Sequence, residues 1–309
     1  MTELGKIEFK ADRPARFVGE SIGSAVRRAA IELGQCETPM LDSRVLMKWS
    51  TGLDDSAMIA QEHRRLTARE AASFAESIDR RCNREPISYI VGEREFWGLT
   101  FKCRSPVLTP RPDTETLLDL ALEIWGDRKP RKILDLGCGS GALLIAALHI
   151  WRDALGVGID RSEDAVDLAT ENAAKLAVAD RANFRVQDWR DLAEAGAMGE
   201  FDLILCNPPY ISSTSRNALP PEVAFFEDPG ALFADDDGLS AYFEVVCAAR
   251  GLLRSGGAFV LELGQGQQAA VAAICASSFP EAHIAVRRDL SGIERALAVI
   301  GPSSKKALQ

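Results

Sequence analysis

Between residues 132 and 160 four pieces follow one another: Lys132-Ile133-Leu134-Asp135-Leu136, the turn Gly137-Cys138-Gly139-Ser140-Gly141, an apolar run from Ala142 to Ile150, and Val157-Gly158-Ile159-Asp160. By length and residue type these read as a buried strand, a glycine loop, a core helix and a second strand that ends in an acid. Strands joined through a helix lie parallel, and a parallel sheet needs cover on both faces, so this run commits the chain to an α/β architecture. The glycines let the backbone turn tightly and approach a ligand closely, and the helix N-terminus supplies free N–H groups. Asp160 is placed to accept hydrogen bonds from both hydroxyls of a ribose. Such a nucleotide pocket holds NAD or S-adenosylmethionine. The spacing is G-x-G-x-G, with Ala142 where a G-x-G-x-x-G pattern has its last glycine, which weakly disfavours a pyrophosphate.

The alternation continues downstream. Ser162-Glu163-Asp164 opens a helix that runs through Leu176, and Phe184 to Asp188 is a third strand, with Asp188 and Trp189 placed to bind an adenine amino group and cover its ring, or with Trp189 simply packed in the core. Phe201 to Cys206 is a fourth strand and Ala258 to Leu263 a fifth, with helices at 238–253 and 267–278. The pattern is that of a doubly wound parallel sheet, which binds ligands at the carboxyl ends of its strands. Asp135, Gly137, Asp160, Asp188 and Asn207 all fall at such ends.

The fourth strand stops at Asn207-Pro208-Pro209-Tyr210. A residue before proline is pushed toward extended geometry and proline has no N–H, so this segment cannot wind into a helix. The Asn207 carboxamide and the Pro208 carbonyl are left free to face a ligand. Two carbonyl oxygens at fixed spacing can each accept one hydrogen of an –NH2 group, and Tyr210 can stack on a planar substrate. The plainer reading is a strand exit with a structural Pro-Pro.

Residues 15–84 carry helical patterns. Ile22, Val26, Ala29, Ala30 and Leu33 recur at helical spacing; Thr38 and Pro39 start a second helix with the stripe Leu41, Val45, Leu46 and Trp49; the capping box Thr67-Ala68-Arg69-Glu70 opens a third. This unit is either a stabilising cap or a docking module for a partner, and docking is the expectation. Residues 85–106, with Tyr89-Ile90-Val91, Phe96-Trp97-Gly98-Leu99 and Phe101, read as a β-hairpin linker, and 107–300 as the catalytic domain. At its start, two prolines keep Leu108 to Glu115 extended and put Asp113 or Thr114 at a helix start.

Composition narrows the partners. A formal net charge of −9 gives no general field toward a phosphate backbone, so nucleic acid is not expected as a direct partner. Seven cysteines form no C-x-x-C pair, and no apolar stretch follows Lys6 and Lys10, which reads as reduced thiols in a cytoplasmic protein. His63, His149 and His283 are isolated, so no metal is expected, and the longest apolar run, Ala142 to Trp151, is too short to span a bilayer. A monomer is expected, with a mobile tail from Gly301 to Gln309.

Phe96-Trp97-Gly98-Leu99, Thr109-Pro110-Arg111-Pro112-Asp113-Thr114-Glu115, Ile133 to Gly141, Asn207-Pro208-Pro209-Tyr210-Ile211 and Arg288 to Arg295 occur in one order. Together they resemble the HemK/PrmC family of class I S-adenosylmethionine-dependent protein-(glutamine-N5) methyltransferases, which modify the Gly-Gly-Gln motif of peptide chain release factors. The resemblance covers almost the whole chain. It implies a cofactor site of Asp135, Gly137, Cys138, Gly139, Ser140, Gly141, Asp160, Asp188, Trp189 and Asn207. It implies that Asn207, Pro208, Pro209 and Tyr210 receive the glutamine, with Phe96 and Arg111 closing the pocket. One region departs from the family: in Val223 to Leu232 the proline after the acidic residue comes one place late, on what is read as the substrate side. The alternative is a paralogous N-methyltransferase acting on another protein, a small molecule or a nucleobase amino group.

Overall fold

Helix caps shape the first elements of the chain. The structure is a computed structural model that describes residues 16–192 and 200–302; Lys6, Lys10 and the tail beyond Pro302 lie outside the described residues. The chain divides into two compact units, one running to Val91 and the other from Gly92 onward, a boundary inside the segment read as a linker. In the first unit α1 (Ile22–Glu32) is capped by the Ser21 hydroxyl, α2 (Pro39–Thr51) opens on Pro39 and ends at left-handed Gly52, α3 (Asp55–Ala60) is capped by Asp54, and α4 (Ala68–Cys82) begins in the reciprocal Thr67/Glu70 box. A last turn, α5 (Ile87–Val91), is helical where a strand was expected. Phe17, Ile22, Leu46, Met47, Phe74 and Ile78 form the core. The expected stripe on α2 is rotated: Leu41 and Trp49 are exposed, because the inward face also carries Asp42, which pairs with buried Arg81 at 2.7 Å.

The second unit opens with the hairpin β1 (Glu93–Phe96) and β2 (Leu99–Lys102), turning at Trp97-Gly98 with positive φ at both. It is a part of the α/β core rather than a free connector. Phe96 and Phe101 are buried edge to face, 6.1 Å between ring centres, and the Lys102 backbone is bonded on both sides by Asn172.

After α6 (Glu115–Trp125) come β3 (Lys132–Leu136), α7 (Ala142–Ile150), β4 (Leu155–Asp160), α8 (Glu163–Lys175), β5 (Ala182–Val186), β6 (Phe201–Cys206), β7 (Ile211–Ser212), β8 (Phe233–Ala234), α9 (Ser240–Leu252), β9 (Leu253–Glu262), α10 (Gln268–Ser278), β10 (His283–Arg288) and β11 (Glu294–Ile300). The large sheet has the order β10-β11-β9-β6-β3-β4-β5. β9, β6, β3, β4 and β5 are parallel, as expected, while β11 and β10 add an antiparallel edge that periodicity did not reveal. Alternate side chains serve opposite faces: Ile133, Leu203, Leu205 and Val260 pack under α6 and α7, and Leu134, Ile204, Phe259 and Leu261 under α9 and α10. From β3 the chain crosses to β4 on one side, whereas β6 and β9 lie on the other. The crevice at this change of direction lies outside the ends of β3 and β6.

Candidate active site

The register of the sheet fixes what meets at that crevice. Leu136 pairs with Cys206, so the next residues of the two strands, Gly137 and Asn207, emerge side by side. Gly137, Gly139, Asp160, Asp188, Trp189, Asn207 and Pro209 line one cavity of about 260 Å3.

The glycine turn is built by its backbone. Gly137 and Cys138 both donate N–H bonds to the Ile159 carbonyl at 2.9 Å, and Gly141 closes on the Cys138 carbonyl at 2.8 Å. Gly137, Gly139 and Gly141 have φ of 75°, 52° and 79°, a region costly for any residue with a Cβ. A Cβ on Gly141 would meet Ala169 and Ile145 at 3.0 Å, and one on Gly137 would meet the Trp189 ring at 3.0 Å. Asp160 ties the turn to the next helix, accepting from Gly139 N–H and Ser162 N–H at 2.9 Å each, and burial raises its pKa. Trp189 donates its ring N–H to Glu244 at 2.9 Å, which orients the ring along the cavity wall. Asp188 is held by Arg190, whose hydrogen bonds lower its pKa.

Other expected residues stand behind this wall. Asp135 is buried beneath the turn. Its Oδ2 accepts the Leu144 N–H at 3.3 Å, its Oδ1 has no partner among the described residues, and burial, with Asp160 nearby, pushes its pKa up to about 7. Cys138 is buried with its thiol pKa raised by burial, and Ser140 is buried with its carbonyl bonded to Asn172, so these two shape the turn rather than line the cavity.

The Asn207 turn is built by side chains. Asn207 Nδ2 donates to Thr114 Oγ1 at 3.3 Å, and Thr114 donates to Glu262 Oε2 at 2.5 Å. Tyr210 donates to Glu262 Oε1 at 3.0 Å, and its carbonyl accepts from Gln267 at 3.1 Å. Among the described residues neither Asn207 Oδ1 nor the Pro208 carbonyl accepts a bond from the protein. Tyr210 is half-buried against the core beneath α9 rather than on the cavity wall, and Pro208 is buried while Pro209 lines the cavity.

Two residues expected to close the pocket are elsewhere. Phe96 is 1% exposed and belongs to the hydrophobic core, because the hairpin turns it inward onto Phe101. Arg111 pairs with buried Glu227 at 2.5 Å, joining the segment before α6 to the 223–232 region. In that region the late proline starts a helical turn, Pro229–Leu232, capped by Asp228. Asp228, Gly230 and Ala231 lie on the wall shared with the glycine turn, so the departure from the family pattern falls on that cavity. Thr114 precedes α6, and Asp113 and Glu115 lie in the first turns of a short 3-10 helix (Pro112–Thr114) and of α6, where acids suit the dipole, but their side chains are used elsewhere: Asp113 pairs with Arg295 at 3.3 Å, and Glu115 accepts the Trp97 N–H at 2.8 Å.

Sequence reasoning missed Glu262 and Glu244. A charged residue inside the apolar run Ala258 to Leu263 was the available signal for Glu262. Glu244, midway along a helix, gave none.

A sequence model of a methyltransferase domain matches residues 127–296, and one of a PrmC N-terminal domain matches residues 24–92. A release factor glutamine methyltransferase of Bradyrhizobium diazoefficiens is 40% identical over 287 residues, covering 91% of this chain and 95% of its own. The protein of the same name from Rhodospirillum rubrum is 38% identical over 93% of this chain and 86% of its own, and that of Caulobacter vibrioides 36% over 77% and 81%. The chain belongs to the release factor glutamine methyltransferase family. Among the described residues no group of side chains is arranged to hold a metal ion, and no helix is long and apolar enough to cross a membrane. In a family of methyltransferases, the sign of the charge on the cavity wall bears on what it takes. Asp160, Asp188, Asp228, Asp235 and Glu244 outnumber Arg161 and Arg190, which suits a cation and opposes a pyrophosphate.

Proposed function

We propose that the chain transfers a methyl group from S-adenosylmethionine to the side-chain amide nitrogen (N5) of a glutamine in a protein, that of the Gly-Gly-Gln motif of a peptide chain release factor. The observation that carries this reading is the pairing of Leu136 with Cys206, which sets an unshared carboxamide oxygen beside a glycine cradle with an acidic wall. S-adenosylmethionine, when bound, supplies an electrophilic methyl on a sulfonium. The turn from Gly137 to Gly141 would admit the ligand closely, Asp160 would accept from its ribose hydroxyls, and Asp188 with Trp189 would hold its adenine. Asp135, Cys138 and Ser140 keep the turn in shape from beneath.

A glutamine amide nitrogen is a poor nucleophile because its lone pair is shared with its carbonyl. Asn207 Oδ1 and the Pro208 carbonyl each accept one of its two hydrogens, which holds the nitrogen and turns the lone pair toward the cradle. Catalysis here is positioning and fixed dipoles, without a strong base, since the proton becomes acidic once the methyl has arrived. The helical unit serves as the docking module for the protein substrate, and Arg111, anchored by Glu227, ties the segment before α6 to the 223–232 region behind the cavity. The test is incubation with labelled S-adenosylmethionine and a release factor, native or with its Gly-Gly-Gln glutamine changed. Label in the native protein alone is expected; equal labelling of both overturns the reading.

A further inference from the structure

The acid at the end of β9 has no role in the chemistry just described. Glu262 is 1% exposed, and among the described residues it forms no ion pair: the nearby Arg295 guanidinium is engaged by Asp113, Asp289 and the Leu263 carbonyl. Burying an unpaired carboxylate is costly, and a neutral group of the same shape would fill the space more cheaply. Both of its oxygens are instead spent on hydroxyls, Thr114 and Tyr210, and these lead to the two ends of the Asn207–Tyr210 turn.

The chemistry of these groups sets a direction. An ionised carboxylate can only accept, so the single Thr114 hydrogen goes to Glu262 and Thr114 Oγ1 shows only lone pairs to Asn207. Asn207 must then present its –NH2 to Thr114, as it does at 3.3 Å. The planar amide leaves Oδ1 on the other side. With the direction reversed, Asn207 would offer substrate two donors and repel the –NH2 it has to hold.

We propose that Glu262 and Thr114 are positioning residues for methyl transfer, a polarised relay that keeps the Asn207 carboxamide oxygen facing the acceptor nitrogen while the same carboxylate anchors Tyr210. The proposal rests on the reading of Asn207 as the acceptor-binding group. Burial raises the Glu262 pKa against the hydrogen bonds of Thr114 and Tyr210 and the charge of Arg295, with Asp113 adding to the rise and the Tyr242 hydroxyl bonded to the Glu262 carbonyl. On protonation Glu262 keeps one bare oxygen for two hydroxyls, so either Thr114 or Tyr210 must turn its hydrogen away and the turn loses one of its two anchors.

Glu262→Gln keeps the shape but leaves one acceptor oxygen for two hydroxyls, so either Thr114 or Tyr210 loses the bond that orients the turn. The expected result is a kcat lower by about 100-fold, the scale of a mispositioned reacting group, with S-adenosylmethionine affinity by calorimetry unchanged within about threefold. The wild-type acid limb of kcat against pH, which follows Glu262, is expected to be absent from this variant. Thr114→Val is expected to share the loss and Thr114→Ser to retain most of the activity. Glu262→Gln or Thr114→Val within threefold of wild-type kcat overturns the proposal. If Glu262→Gln no longer binds cofactor, the Thr114 pair decides: equal activity of Val and Ser variants overturns it, and loss in Val with recovery in Ser supports it. An inactive wild-type protein would count against the glutamine reading itself, whereas an active wild type with an active Glu262→Gln counts against the relay alone.

Discussion

The glycine turn after β3 is held by its own backbone: its N–H groups bond to the Ile159 carbonyl and the Asp160 carboxylate one strand away. The Asn207 turn after the neighbouring strand has no glycine and two prolines, and depends on Thr114, Glu262 and Gln267, between 52 and 93 residues distant in sequence. A loop fixed by backbone fails when volume is added to it. One fixed by remote side chains fails when a partner's polarity changes, with its shape intact.

Four measurements bear on that contrast, beginning with the largest effect. Asn207→Ala removes a fixed dipole without touching the glycine turn, so kcat falls by about 100- to 1000-fold while cofactor affinity stays near wild type. An equal loss in binding would mean that the two turns are not separable. Gly141→Val adds a Cβ at φ 79° that meets Ala169 and Ile145 at 3.0 Å, and is expected to destabilise the fold by about 1–3 kcal/mol and to weaken cofactor binding, read by thermal melts and calorimetry.

The third tests the ground beneath the glycine turn through pH. The folded-state pKa of Asp135 is raised from 3.8 to about 7, so the folded state holds a proton that the unfolded chain releases, and stability falls as pH rises across that interval. Asn at 135 does not titrate and can still accept the Leu144 N–H. The Tm advantage of Asp135→Asn over wild type in the cofactor-free protein is therefore expected to grow from pH 5 to pH 8, and a constant difference would remove the burial argument. The smallest effect lies away from both turns: Thr67→Ala opens the capping box of α4, at about 1 kcal/mol of stability, with kcat unchanged.

The same contrast separates what the sequence revealed from what it did not. β3, β4, β6, the glycine turn and Asp160 were legible because each rests on contiguous residues whose spacing states their geometry. Asn207 was legible because two prolines forbid other conformations. Its supports were not, since Thr114 reads as a helix cap and Glu262 as an interruption of a strand until the fold brings them together. Phe96 misled for a related reason: an aromatic in a motif reads equally as a ligand contact or as core, and only the inward turn of the hairpin decides. β10 escaped because it is half-exposed with charged residues at its end, which leaves no clean alternation, and β11, a short apolar run, had no visible partner without it.

β11 comes last in chain order among the described strands, yet it shields the strand that ends in Glu262, and its Arg295 clasps Asp113 beside Thr114. A change at residue 295, or in the strand that carries it, therefore reaches the acceptor turn through Asp113, Thr114 and Glu262 without touching the cavity wall.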